Sequence, residues 1–407
     1  MIEIRGQYTS AKIFSDTVEG AALDQIRALC DLPFAAGARV RVMPDVHAGA
    51  GCVIGFTADI RDSVIPNIVG VDIGCGMRTV LLGKGTFDFE KLDEAVRRYI
   101  PAGMDVHEGR IERFPALQQL HCYRDLKNSG RLERSLGTLG GGNHFIEADK
   151  DDDGNFYLVI HTGSRNLGKQ VAELHQKLAI DLCSGKGDLF EARRELIARY
   201  KEEGRRTQIQ AALAALEADF AARTPDFPPA LCHLTGRWRD EYLDDMRICQ
   251  QFARRNRELI AEFLLRHWLG ADATQFETFE TVHNYIDHDS GIIRKGAVSA
   301  KKGETLLIPI NMRDGSLLCT GKGNEDWNCS APHGAGRRYS RMKARELFSV
   351  EDYAREMQGI YTTSVSADTL DECPMAYKDM DEILANLEPT AAVQKIIRPV
   401  YNFKAGE

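Results

Sequence analysis

Three glycine-rich segments carry the side chains with the most chemistry to offer: Gly70-Val71-Asp72-Ile73-Gly74-Cys75-Gly76-Met77, Gly141-Gly142-Asn143-His144-Phe145-Ile146-Glu147 and His333-Gly334-Ala335-Gly336-Arg337. Glycine lets a backbone turn sharply and come close to a ligand, so each segment can present a metal-binding or nucleophilic group. Two further imidazoles sit beside turns, His161 in His161-Thr162-Gly163-Ser164-Arg165 and His283 in His283-Asn284-Tyr285. Asp72, Cys75, His144, His161 and His283 form a mixed oxygen, sulfur and nitrogen set of the kind first-row divalent metals take. Asp72 and Cys75 are three residues apart on one turn and can reach one ion, which would lower the thiol pKa enough to supply a thiolate. Any one of these side chains alone reads equally well as a buried structural residue. Their shared turn setting points to a metalloenzyme.

His333 is the candidate nucleophile. Imidazole can form covalent intermediates, and the glycines that follow let backbone N–H groups meet phosphate oxygens. Familiar nucleotide signatures are absent: Gly321-Lys322-Gly323 lacks the Walker spacing, and no G-x-G-x-x-G, H-E-x-x-H or G-x-S-x-G occurs. The Lys-x-Asp-Gly nucleophile of ATP-dependent ligases is missing too. From Arg337 to Arg345 the chain carries Arg337, Arg338, Arg341, Lys343 and Arg345 with no acidic residue between, which suits phosphate contacts or simply a solvated helix start.

Length and composition set the background. The 407 residues, 43% hydrophobic and 28% charged, describe an ordinary globular chain with ample core. No apolar run is long enough for a membrane span, and the N-terminus has no secretion signal, so a cytoplasmic protein is expected. Ten cysteines without a C-x-x-C pair exclude zinc ribbons and a disulfide scaffold. A net charge of −8 argues against broad coating of nucleic acid but permits a local basic surface.

The elements that must position these groups read as α+β. Strands are expected around 39–43, 52–56, 156–160 and 292–319, with helices over 88–100 and from Leu167 to Leu182. The second of these helices would offer free N–H groups to an anion beside Arg165. A mainly helical block of about 187–270, clearest from Glu241 to Leu269, reads as an insertion within one catalytic unit, 1–407. Pro225-Asp226-Phe227-Pro228-Pro229 is its best local break, and His233, His267 and Cys249 read as structural.

In this order the segments resemble the RtcB family of RNA ligases, nearly end to end. Met43-Pro44-Asp45-Val46-His47, Arg294-Lys295-Gly296-Ala297, Gly323-Asn324-Glu325, Phe348-Ser349-Val350-Glu351-Asp352 and Pro374-Met375-Ala376-Tyr377-Lys378 add to the likeness. The resemblance implies mixed sheets around a dinuclear site, and GTP- and manganese-dependent joining of RNA 2′,3′-cyclic phosphate or 3′-phosphate ends to 5′-hydroxyl ends. It implies that Cys75 bridges two Mn²⁺ ions, with Asp72 and His144 on one and His161 and His283 on the other, and that His333 takes GMP. Asn143, Phe145, Glu147, Asn284, Ser316 and Gly334-Ala335-Gly336 match nucleotide-contacting positions, in a wall that includes His144, Ile146 and Pro309-Ile310-Asn311-Met312. Lys404 matches a guanine-contacting lysine, and Arg165, Arg337 and Arg341 match RNA-binding positions. The implied substrate is RNA with broken ends, tRNA or rRNA, handled by a monomer with room for an activating protein partner.

The chain departs from the family pattern where Pro-Gly-Ser-Met-Gly is usual. It reads Pro309-Ile310-Asn311-Met312-Arg313, which puts side chains where a bare backbone would meet the nucleotide. Arg313 is expected to compensate by pairing with a triphosphate oxygen. The alternatives to a ligase are a metal-dependent cyclic phosphodiesterase and a silent RNA-end-binding protein.

Overall fold

The computed structural model describes residues 1–221 and 227–406. Its architecture is α+β. A six-stranded sheet takes its strands, in spatial order, from Ile2–Arg5, Ser10–Ile13, Val40–His47, Ile54–Asp59, Ile292–Lys295 and Asn284–Asp287. An eight-stranded sheet runs Thr278–Val282, Gly76–Lys84, Asn155–Thr162, Phe145–Lys150, Ala391–Lys404, Gly315–Gly321 and Thr305–Asn311, with Tyr361–Thr362 added beside Ala391–Lys404. Its two edges meet where the Leu307 N–H donates to Thr281 Oγ1 at 3.0 Å, so the sheet curls into a nearly closed barrel. Closure suits these strands because it brings together edges that would otherwise stand open.

The expected helices form with small shifts of boundary. Phe89–Tyr99 starts on Asp88, whose side chain accepts from the Lys91 N–H, and buries Leu92, Ala95 and Val96. Arg165–Cys183 begins two residues before the expected Leu167. The long helix is Gly236–Leu264, continued by a π-helical turn Leu265–Leu269. Its Tyr242, Met246, Cys249, Phe252, Ile260 and Leu264 are all buried, as the apolar spacing requires. His267 stacks on Tyr99 and His233 lies against Phe34, both structural positions. Part of the Pro225–Pro229 break falls outside the described residues.

The long helix also supports the chemistry. Arg257, 1% exposed, donates to the carbonyls of Gly74 (2.7 Å) and Thr162 (2.9 Å) and pairs with Glu280 at 3.1 Å. Asn256 accepts from the N–H groups of Gly137 and Thr138 and donates to the Thr138 and Gly163 carbonyls. Loops that sequence shows only as glycine-rich are thus held from beneath by two buried polar side chains. No helix among the described residues is long and apolar enough to cross a membrane.

Candidate active site

Strand register gathers the candidate ligands. His161 lies opposite Met77 on one side and Phe145 on the other, and Val282 lies opposite Gly76. Cys75, His144, His161 and His283 therefore sit at one end of four neighbouring strands. The crossing is tied by backbone bonds from the His283 N–H to the Cys75 carbonyl (2.9 Å) and from the Gly74 N–H to the Asn284 carbonyl (2.7 Å). Asp72 joins from the preceding turn, against Gly163, where a Cβ would come within 2.1 Å of Asp72 Oδ1. Only glycine leaves room for that carboxylate.

Two donor sets result, Asp72–Cys75–His144 and Cys75–His161–His283, sharing the thiol, with the ligand atoms of each within 4.8 Å of one another. Cys75 Sγ is 3.5 Å from His144 Nε2 and 3.3 Å from His161 Nε2. His144 Nε2 is 2.9 Å from Asp72 Oδ2, and the Nε2 atoms of His161 and His283 are 3.4 Å apart. Nδ1 of His144 faces the Leu139 carbonyl (3.0 Å) and Nδ1 of His161 faces the Asn143 carbonyl (3.1 Å). Those bonds put the ring proton on Nδ1 and leave Nε2 bare, the form a metal ligand needs. Burial and the neighbouring imidazoles hold His161 and His283 well below the usual histidine range, so both rings are neutral. Burial, then the Asp72 charge, pushes the Cys75 thiol well up. Such a thiol is silent by itself, and a divalent cation is what makes it a thiolate. Sulfur, imidazole and carboxylate donors converging in one buried place fit divalent metal.

Asp72, Cys75, His161 and His283 line one wall of a cavity of about 640 Å³ that also holds His333. The His333 ring lies 5.0 Å from that of His283. Asp45, fully buried on the strand Val40–His47, accepts from the His333 backbone N–H (3.0 Å) and from Nδ1 (2.6 Å) through one oxygen. His333 Nδ1 is therefore the donor, and Nε2 is left without the ring proton. The sequence quotes Asp45 inside a recognisable segment but gives no sign of this role, because 288 residues separate the pair.

Of the expected nucleotide positions, Asn143, Phe145, Glu147, Asn284, Pro309–Met312, Gly334–Gly336 and Lys404 line this cavity. Ile146 and Ser316 do not. Ile146 packs in an apolar cluster behind the sheet, and Ser316 is buried on its strand. His144 and Arg165 line a second cavity, of about 620 Å³, that reaches the centre from the Asp72 side. Arg165 adopts a positive φ of 56° and donates to Thr138 Oγ1 and the Gly103 carbonyl, both at 3.2 Å. Its guanidinium occupies the place a Cβ on Gly140 would fill.

The basic segment is less open than its composition implies. Arg337 and Arg341 do line the cavity, yet Arg337 bonds Glu372 (3.1 Å) and the Asp371 carbonyl (2.6 Å). Arg341 lies 3.8 Å from both acids, and Arg345 bonds Asp371 at 2.6 Å. Lys404 Nζ also pairs with Glu372, at 3.0 Å. Burial alone would favour a neutral Glu372, but Lys404 and Arg337 hold its carboxyl down at about 2. Deeper in, burial pushes Glu147 up to about 7 against the pull of Lys404 and Asn402, and Asp149 well up.

Arg313 does not take the expected place. It forms a two-pronged pair with Asp314 (2.8 Å each) and a further pair with Glu356, and it does not line the cavity. Asn311 accepts from the Arg313 and Asp314 N–H groups, so the loop closes on itself. A free triphosphate-binding guanidinium is replaced by one whose donors are already used by adjacent carboxylates.

Comparison with known proteins agrees with this geometry. A family model described as tRNA-splicing ligase RtcB matches residues 25–123 and 116–405. The RNA-splicing ligase RtcB of Escherichia coli (strain K12) is 32% identical over 426 aligned residues, covering 94% of each chain. A tRNA-splicing ligase RtcB from Nanoarchaeum equitans is 29% identical, covering 97% of this chain and 93% of its own. RNA-splicing ligase RtcB2 from a second E. coli strain is 26% identical over 95% of this chain. A match of this extent, with metal-capable donors and a buttressed histidine on one cavity, makes the chain a divergent member of the RtcB family.

Proposed function

We propose that this protein is an RNA ligase that uses GTP and manganese to join 2′,3′-cyclic phosphate or 3′-phosphate ends to 5′-hydroxyl ends. The observation that carries the reading is the Asp45-held His333, which lines the same cavity as Asp72, Cys75, His161 and His283. In this reading Nε2 attacks the α-phosphorus of GTP, the bond to the β-phosphate oxygen breaks, and pyrophosphate leaves. The positive charge that the ring acquires is balanced by Asp45 at Nδ1. An RNA 3′-phosphate oxygen then displaces the imidazole at the same phosphorus, and the 5′-hydroxyl attacks the activated 3′-phosphate and releases GMP. Asp72, Cys75, His144, His161 and His283 would hold divalent metal, which when bound would neutralise phosphoryl charge and activate water for opening a cyclic phosphate.

The lining of the cavity fits a purine nucleotide. Phe145 offers an apolar ring, and Lys404 lies 5.8 Å from its centre, beside Glu372 and Glu147. In this reading Arg337 and Arg341, which line this cavity, and Arg165, which lines the second, contact RNA phosphates. The substrates in this reading are broken tRNA or rRNA in the cytoplasm. Incubation with radiolabelled GTP and Mn²⁺ tests it. The expected result is protein-bound GMP, acid-labile and base-stable, that disappears in His333→Ala. A protein that opens cyclic phosphates without labelling would be a phosphodiesterase instead, and label surviving in His333→Ala would move the nucleophile elsewhere.

A further inference from the structure

A third group of metal-capable side chains lies apart from the active site: Cys122, His175 and Asp245, whose ligand atoms are all within 4.8 Å of one another. They come from three separate elements. Cys122 is between the short turns Pro115–Gln119 and Tyr123–Asp125, His175 is on the helix Arg165–Cys183, and Asp245 is on the helix Gly236–Leu264. All are buried, at 8%, 3% and 0% exposure, and none lines either cavity of the active site.

The carboxylate is fixed in place. Asp245 Oδ1 accepts from the His121 N–H at 2.7 Å, and Oδ2 accepts from the Cys122 N–H at 3.2 Å. His175 Nε2 stands 2.8 Å from Oδ2. The active-site donors have the same close spacing, with His144 Nε2 2.9 Å from Asp72 Oδ2. The His175 ring shares a second feature with His283, since Nδ1 of each is buried without a hydrogen-bond partner.

Charge gives the cluster its direction. Among the described residues Asp245 has no lysine or arginine as ion-pair partner, although it is fully buried. Against burial, hydrogen bonds from His175, the His121 N–H and the Cys122 thiol hold its carboxyl below the usual range. The Cys122 thiol beside it is pushed up by burial and then by the Asp245 charge. A buried anion with an adjoining thiol is stabilised by a cation, and a divalent ion would also take the thiol as thiolate, releasing one proton. Cys249, fully buried and one helical turn on from Asp245, stands on the same helix face.

We propose that Cys122, His175 and Asp245, with Cys249 as fourth donor, form a structural zinc site that pins the 115–125 segment to the two helices. Cys122, His175 and Asp245 already lie within 4.8 Å of one another, Cys249 would have to draw in to complete the set, and buried sulfur, nitrogen and oxygen donors of this kind suit a structural zinc. The site is separate from the catalytic metals, so it is read in a background that lacks them.

The test uses full-length Cys75→Ala/His283→Ala protein, which has lost donors from both active-site sets, purified from zinc-supplemented medium and dialysed against metal-free buffer. Plasma mass spectrometry is expected to find about one zinc per chain, the stoichiometry of a closed site. Adding Cys122→Ser or His175→Ala should reduce it to background. Cobalt exchange gives a second readout, a thiolate-to-cobalt absorption band that is present in the active-site variant and absent once Cys122→Ser is added. No zinc in the active-site variant overturns the proposal and leaves a protonated or hydrogen-bonded Cys122–His175–Asp245 hub. Zinc that persists unchanged in both Cys122→Ser and His175→Ala also overturns it. Should either of those variants fail to fold, the metal content of the active-site variant alone still decides.

Discussion

Among single residues, Asp45 and His333 make the sharpest pair. One oxygen of a fully buried carboxylate holds both the backbone and the ring of the histidine, so Asp45 acts through His333 as a positioning residue. Asp45→Asn keeps the shape but can present an N–H where Nδ1 needs an acceptor. GMP labelling is expected to slow by about 10²-fold or more, the usual worth of proton management in a transition state. The GTP concentration for half-maximal labelling should stay near that of the wild type, because the nucleotide itself is bound elsewhere in the cavity. An unchanged labelling rate would remove Asp45 from the mechanism.

Among elements, the long helix Gly236–Leu264 and the hairpin Thr305–Asn311/Gly315–Gly321 behave differently from what their sequences imply. The helix reads as a block with little chemistry, yet its Arg257 satisfies the carbonyls of Gly74 and Thr162, the neighbours of Cys75 and His161. Arg257→Ala leaves those carbonyls and Glu280 without their buried partner, and a loss of about 3–5 kcal/mol in stability is expected. Chemical denaturation measures the loss, and metal content should fall in the surviving folded protein. Arg257→Lys should recover little, since one ammonium cannot reproduce the fork. In the hairpin, Arg313 is held by Asp314 and Glu356. Arg313→Gly is therefore expected to leave the GTP dependence of labelling within about 2-fold and to cost at most about 1 kcal/mol, as half-exposed ion pairs do. A GTP requirement raised ten-fold or more would restore a direct nucleotide contact.

Across the full chain, Glu372 joins the C-terminal strand, through Lys404, to the Arg337–Arg341 segment that carries on from His333. Its carboxyl is depressed from 4.5 to about 2, so its contribution to stability is complete above the unfolded pKa and disappears as pH falls from about 4.5 towards 2. A shift of that size corresponds to about 3 kcal/mol. Glu372→Gln should be less stable than the wild type by about that amount at pH 7, with the gap closing below pH 4; urea titrations at several pH values read it. A gap that stays constant with pH would assign the loss to packing. Residue type and order were enough for the α+β class, the RtcB resemblance and the choice of candidate donors that the fold brings together near His333, because glycine-flanked side chains and helix periodicity are local signals carried by short segments. They could not show that Ile146 and Ser316 turn away from the cavity, nor that Arg313 pairs with Asp314 and Glu356. The parts played by Asp45, Arg257 and Glu372 were equally hidden. These side chains act on partners that reach them only when distant strands and helices pack, and a buried charge takes its meaning from whichever partner arrives there.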